Sequence, residues 1–185
     1  MLDGEHNPKI SDFGRGRMFG DKEDPAGIVR VVGTYGYMAP EYVMEGQFPA
    51  KSDIFSFGVL LPEIISGRQN TSFNGEDQSL SLLGFAWKLW KEEDVLALVY
   101  SNISVRCFEV EGLRSIEVGL LCTQELAKDR PTISTVISML NGELVDLPSP
   151  NKPAFTERQT ATDTESVLSY IQVVELVDYA NTDIT

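Results

Sequence analysis

Residues 51–68, KSDIFSFGVLLPEIISGR, constrain the fold more than any other stretch of the chain. Apolar Ile54, Phe57, Leu61 and Ile64 or Ile65 recur at the spacing of one helical face. Ser52 is placed to cap the start of such a helix, and Gly67 to end it. One residue opposes the pattern. Pro62 removes a backbone donor and crowds the carbonyl of Gly58, at a cost of about 3 kcal/mol for an interior proline. Whole domains are stable by only about 5–15 kcal/mol. A central helix carrying this proline must recover that cost elsewhere.

The rest of the chain is organised around similar segments. A polar stretch over 68–78 separates the first helix from a second, expected over 80–99, with Leu83, Ala86, Trp87 and Trp90 on one stripe. A third is expected over 108–125. Asp129-Arg130-Pro131-Thr132 leads into a fourth over 133–140. Upstream, 8–11 reads as the end of a short strand followed by a turn at Asp12-Phe13-Gly14. Residues 15–32 lack sustained periodicity and read as a long loop, of the kind that is usually functional or mobile. Composition shifts after Leu144: Pro148, Pro150 and Pro153 break any helix, and from Asp146 onward seven acids face only Lys152 and Arg158. This tail is expected to be disordered or loosely docked, with enough Val, Ile, Leu and Tyr over 167–180 for one short element.

Charge and residue usage exclude several functions. Lys+Arg 15 against Asp+Glu 28 leaves a net charge of -13, which argues against nucleic acid or an anionic membrane as a partner. Runs such as Gly58-Val59-Leu60-Leu61 fall far short of the ~20 apolar residues of a membrane span, and the polar start MLDGEHNPK is no signal peptide. Cys107 and Cys122 have no CxxC spacing and read as buried structural thiols in a reducing setting. The lone histidine, His6, supports neither a metal cluster nor a Ser/His/Asp triad. The series Gly14-x-Gly16-x-x-x-Gly20 has one residue too many for a phosphate loop and does not lead into a helix.

Four ordered motifs carry a resemblance. SDFG (residues 11–14), VGTYGYMAPEY (32–42), the stretch at 51–68 and GLLCTQELAKDRPTISTVISML (119–140) follow one another as in the second half of a protein kinase domain. The wording is similar to that of plant receptor-like serine/threonine kinases of the S-locus, G-type lectin group. The likeness covers about residues 1–144. LPSPNKPAF resembles the C-terminal extension of that group, though 169–185 matches it poorly. The implied fold is mainly α: a truncated large (C-terminal) lobe of a protein kinase-like fold over 1–144, with a flexible, acidic, Thr-rich extension over 145–185.

The same resemblance implies the chemistry, phosphoryl transfer from ATP to Ser or Thr with magnesium as cofactor. Asp12 corresponds to the magnesium ligand; taken alone it reads as a turn aspartate before glycine, a reading that the downstream Ala39-Pro40-Glu41 overturns. Gly33 and Thr34 correspond to the substrate-docking segment, Thr34 contacting the catalytic base. No Ser, Thr or Tyr lies between Gly14 and Gly33, so activating phosphorylation would fall to Thr34, Tyr35 or Tyr37. Arg15-Gly16 replace the group's usual apolar residue and alanine. Glu41 and Arg130 correspond to a buried structural ion pair, and Asp53 to a helix-start carboxylate that accepts from the backbone of the catalytic loop.

The 185 residues contain no His-Arg-Asp, hence neither base aspartate nor second metal-binding asparagine, and no Val-Ala-Ile-Lys. The isolated chain is therefore expected to be catalytically incompetent, as a cytoplasmic piece of a plasma-membrane receptor kinase. Its expected partners are protein substrates or full-length receptor-like kinases. The alternatives are a pseudokinase-like decoy module that binds such partners, and a gene remnant without independent function.

Overall fold

The computed structural model describes residues 4–5, 7, 9, 34, 36–45, 50–71, 73, 79–99 and 109–157. They form α1 (Pro40–Glu45), α2 (Ala50–Ser66), α3 (Leu82–Lys91), α4 (Glu109–Cys122) and α5 (Ile133–Leu140), with short 3-10 turns at Val95–Leu98 and Ala127–Asp129. Among the described residues there is no β-strand, only isolated bridges joining Leu80 to Glu157 and Gln124 to Pro153. The strand end and loop expected over 8–32, Cys107, His6 and the element expected over 167–180 fall on residues that are not described, apart from Lys9.

Pro62 leaves its helix unbroken: α2 runs through it to Ser66. The reason lies in α4, which crosses α2 at two glycines. A Cβ on Gly119 would stand 3.1 Å from the Pro62 ring and 3.0 Å from the carbonyl oxygen of Gly58, the acceptor that Pro62 cannot serve. A Cβ on Gly58 would fall 2.5 Å from that of Cys122. The backbones therefore meet with nothing between them, and the buried proline ring fills the crossing. Packing gain offsets the lost hydrogen bond.

The core is built outward from this pair. One cluster joins Leu82, Leu83, Ala86 and Leu89 of α3 to Val95, Leu98, Ile116 and Leu120. A second joins Ile54 and Leu61 of α2 to Val118, Leu121 and Cys122 of α4 and to Val136 and Met139 of α5. A third gathers Met38, Ala39 and Tyr42 around Phe55, Val59 and Ala154. Cys122 is a free, buried thiol whose ionisation burial pushes up to about 12.

Local details depart from the sequence pattern in four places. Ser52 is not a cap, because α2 begins two residues earlier, at Ala50; its hydroxyl instead donates to Glu41 Oε1 at 3.1 Å. Gly67 does end the helix, at φ 66° with its N–H on the Glu63 carbonyl at 2.8 Å. The segment expected as one helix over 80–99 is split. Ser81 caps α3 by accepting from Gly84 N–H, and α3 stops at Lys91 before Glu93 takes φ 58°. Its buried face is Leu82, Leu83, Ala86 and Leu89; Trp87 and Trp90 lie half-exposed, stacked on each other. The third helix is shorter than expected, ending at Cys122, where the buried Thr123 hydroxyl turns back onto the Gly119 carbonyl at 3.0 Å. The fourth matches its expected bounds.

The stretch following the composition break is bound to this core as far as it is described. Ala154 N–H donates to the Thr123 carbonyl at 3.0 Å, Ser81 Oγ donates to the Phe155 carbonyl at 2.9 Å, and Gln124 exchanges hydrogen bonds with the backbone of Asn151 at 3.0 and 3.2 Å. Phe155 meets Phe55 edge-on at 6.2 Å. Composition shows only that this segment cannot be helical; the acceptors left open after α4 hold it in place.

Replacing Gly58 by alanine tests the crossing. Alanine is the better helix former by about 1 kcal/mol, yet its methyl group would overlap Cys122. The overlap is expected to win, with a net loss of about 1–3 kcal/mol and a melting temperature several degrees lower by circular dichroism. An unchanged or raised melting temperature would show that α2 and α4 can separate freely.

Candidate functional site

Arg130 follows a 3-10 turn and precedes Pro131, and proline keeps the residue before it extended: φ is -76° and ψ 144°. Thr132 then caps α5. This geometry drives the Arg130 side chain inward until none of it is exposed. A guanidinium has five N–H donors and no acceptor, and all five are satisfied. Nη1 and Nη2 grip the two oxygens of Glu41 on α1 at 2.6 and 2.8 Å. The remaining donors reach the carbonyls of Gln124, Lys51 and Glu125 at 2.8, 3.0 and 3.0 Å. The guanidinium also lies over the Phe55 ring at 5.0 Å. Lys51 returns the contact, its ammonium donating to the carbonyls of Arg130 and Pro131. α1, the start of α2, the end of α4 and the entry to α5 are thus fastened at one point.

Burial alone would push the Glu41 carboxyl up. Hydrogen bonds from Arg130, from its own backbone and from Ser52, with the charge of Arg130, outweigh that and hold it below the usual carboxylate range. A depressed native value contributes stability that is present above the unfolded pKa and lost as pH falls through the native one. The melting temperature should accordingly drop as pH falls below about 4.5, the ordinary value. Glu41→Gln should flatten this dependence, at the cost of about 3–5 kcal/mol at neutral pH for leaving Arg130 buried without a counter-charge. An acid limb equally steep in the variant would assign that limb to other carboxylates.

A second network holds the residues just ahead of α1. Tyr37 N–H donates to the Thr34 carbonyl at 3.2 Å, and Ser56 Oγ donates to the Tyr37 carbonyl at 2.6 Å. The Tyr37 hydroxyl donates to Glu63 Oε1 at 2.7 Å, an oxygen that also accepts from Asn70 N–H at 2.6 Å. The Asn70 side chain donates to the Gly36 carbonyl at 3.1 Å and accepts from Leu83 N–H at 3.3 Å, one of the donors α3 leaves open at its start. Gly36 sits at φ 91°, where a Cβ would come within 2.9 Å of Thr71. Burial first, then the hydrogen bond to Glu63 and its negative charge, push the Tyr37 phenol up to about 12.

Of the residues singled out from sequence, Thr34 is exposed and Asp53 lies exposed in the first turn of α2. Tyr37 is half-buried, its hydroxyl engaged by Glu63. Asp12, Gly33 and Tyr35 lie outside the described residues. Lys51, Ser56, Glu63 and Asn70 were not anticipated. The one hint at Glu63 was an acid in the apolar run between Pro62 and Ile64, which must find a donor once α2 is central. Among the described residues no group of three or more His, Cys, Asp or Glu is placed to hold a metal ion.

Tyr37 gives this network a spectroscopic handle. Tyr37 should ionise near pH 12 in a 295 nm absorbance titration of the folded chain, and that late step should vanish in Tyr37→Phe. Because the raised value favours the neutral phenol, the stability it adds is present below the ordinary value of 10 and lost as pH rises toward 12. A titration in which every tyrosine ionises near 10 would mean that the contact with Glu63 is not maintained.

Residues 1–138 match the family model described as protein kinase domain. The whole chain is 49% identical to a G-type lectin S-receptor-like serine/threonine-protein kinase of Arabidopsis thaliana, of which it spans 22%. It is 53% identical over 166 residues, 90% of its length, to a second kinase so named from the same plant, SD1-13, spanning 20% of that protein. Over 155 residues, 84% of the chain, it is 52% identical to cysteine-rich receptor-like protein kinase 6 of Arabidopsis thaliana, spanning 23% of it. The chain thus covers less than a quarter of the length of each of these relatives. Among solved structures, the pseudokinase domain of BIR2, an immune regulator of the RLK/Pelle family, superposes with a TM-score of 0.52 at 24% identity, over 60% of this chain and 33% of that one. This last likeness concerns the fold alone.

Proposed function

Because this chain belongs to the protein kinase family, we propose that it is the substrate-side part of the catalytic domain of a receptor-like serine/threonine kinase. In that role it helps move the terminal phosphoryl group of ATP onto Ser or Thr hydroxyls of protein substrates. The observation that carries the reading is the cage around Arg130. It anchors α1 through Glu41, and with α1 the segment from Thr34 to Ala39 that leads into it. Phosphoryl transfer depends chiefly on holding reactants in place, and a docking segment needs such an anchor. Asp12 supplies the carboxylate for magnesium, which neutralises charge on the phosphates when bound; Gly33 and Thr34 receive the acceptor residue. Tyr37, with its hydroxyl already engaged, positions that segment rather than accepting phosphate. No helix among the described residues is long and apolar enough to cross a membrane, and the segment works on the cytoplasmic side of its receptor.

The base aspartate and ATP-positioning lysine of the family are not among these 185 residues, which sets the experiment. The polypeptide alone should transfer no phosphate. Joined behind the Gly-rich loop, lysine and catalytic loop of one of the roughly half-identical relatives, it should phosphorylate a generic Ser/Thr substrate at a typical kinase rate of ~1–100 per second. Asp12→Ala should abolish that activity. A chimera that folds and binds nucleotide yet transfers nothing would refute the reading, as would activity indifferent to Asp12.

A further inference from the structure

A cleft of about 520 Å³ opens between the end of α3 and the face of α4, away from the Arg130 cage. Trp90 forms one wall, stiffened by stacking on Trp87 at 5.2 Å with the rings 10° apart. Val95 and Leu113 supply apolar surface. Two acidic residues line the same space: Glu117 from α4, and Glu93 from the turn after α3, where its φ of 58° is one that side-chain-bearing residues seldom adopt. Lys91 completes the lining.

None of these three charges forms an ion pair with a described residue. Glu117 is half-buried, and burial pushes its carboxyl up; the positive charge of Arg114 opposes that. The Arg114 guanidinium, however, is occupied elsewhere, donating to the carbonyls of Met139, Leu144 and Val145 at 3.0, 2.7 and 3.2 Å. Glu117 therefore keeps a partly desolvated carboxylate that no hydrogen bond from a described residue satisfies, beside an indole and aliphatic surface. Such surroundings suit a side chain that is apolar along its stem and cationic at its tip. Arginine fits better than lysine, because a guanidinium lies flat on an indole and meets a carboxylate through two parallel hydrogen bonds. The net charge of -13 draws basic segments toward the chain.

We propose that this cleft docks an arginine side chain of a partner polypeptide, with Trp90 as the stacking wall and Glu117 and Glu93 as the anionic partners. Lys91 is the opposing charge, and it sets the upper limit of affinity for so small a site.

Titrating the 185-residue chain with an acetylated, amidated peptide of alternating Arg and Gly tests this, read by tryptophan emission and by the indole N–H signals in NMR. Saturable binding should shift the Trp90 signal, identified as the one missing in Trp90→Phe. Glu117→Gln should weaken binding roughly tenfold and Glu93→Gln by a smaller factor, whereas Lys91→Ala should strengthen it. A peptide with citrulline for arginine should not bind, and a lysine peptide of equal charge should bind more weakly. Glu117→Gln removes a charge that burial disfavours, so its melting temperature should not fall. If that variant nonetheless unfolds, the exposed positions 91 and 93 decide the matter, since a loss of fold cannot move them in opposite directions. Equal binding of the lysine or citrulline peptide would overturn the proposal. So would a shift centred away from Trp90, or affinity unchanged by both glutamate variants.

Discussion

A guanidinium held entirely away from water must find an acceptor for every one of its N–H groups, and Arg130 takes them from three parts of the chain. Its five donors end on a carboxylate of α1 and on carbonyls at the start of α2 and just beyond the end of α4. Desolvating such a charge is costly, and only complete pairing makes it tolerable. The result is less a source of net stability than a fixed point. α1 is six residues long, too short to be stable on its own, and it is held because Glu41 has nowhere better to place its charge.

The second constraint is steric. α2 and α4 approach until glycine meets glycine, and the ring of Pro62 occupies the volume a side chain would otherwise fill. Both core clusters that involve α4 depend on that distance, because Ile116 and Leu120 face α3 while Val118 and Leu121 face α2 and α5. A helix that packs on two sides cannot move toward one neighbour without opening a void against the other. The charged anchor and the close crossing therefore support each other: Gln124, whose carbonyl receives Arg130, lies two residues beyond the end of α4.

Hydrogen bonds carry the same order outward. Asn70 ties the backbone at Gly36 to the first turn of α3, and Ser81 ties that turn to residues 155 and 156. The segment ahead of α1 and the stretch beyond α5 thus both bear on the N-terminus of α3. The cleft at the other end of α3 lies outside this web, and Glu117, half-buried there, has no hydrogen-bond partner among the described residues. Where buried polar groups such as Arg130 are so fully paired, a partly buried carboxylate left beside an aromatic wall is informative.

Much of this was legible in the residues. The stretch Asp129-Arg130-Pro131-Thr132 marks the approach to α5, Gly67 marks the end of α2, and the order of the motifs identifies the family. These signals are local: a period, a cap and a terminating glycine act within a turn or two of helix. What they could not supply was the identity of neighbours. Ser52 reads as a cap until Glu41 is seen to claim its hydroxyl, and the stripe of Leu83, Ala86, Trp87 and Trp90 gives way to a buried face of Leu82, Leu83, Ala86 and Leu89, with the two indoles only partly buried against it. Pro62 reads as a cost to its helix until Gly119 makes room for the ring. Pairing Arg130 with Glu41, 89 positions away, came from motif likeness alone, since no spacing rule reaches that far. The sequence by itself determined where the longer helices run and where several of them stop, because those choices are made by backbone sterics over a few residues; the short α1 and the split after α3 needed the structure. Which face each helix buries, which carboxylate meets the buried arginine and which carboxylates are left over were decided only in the tertiary structure, because burial and hydrogen bonding are settled by whatever lies opposite.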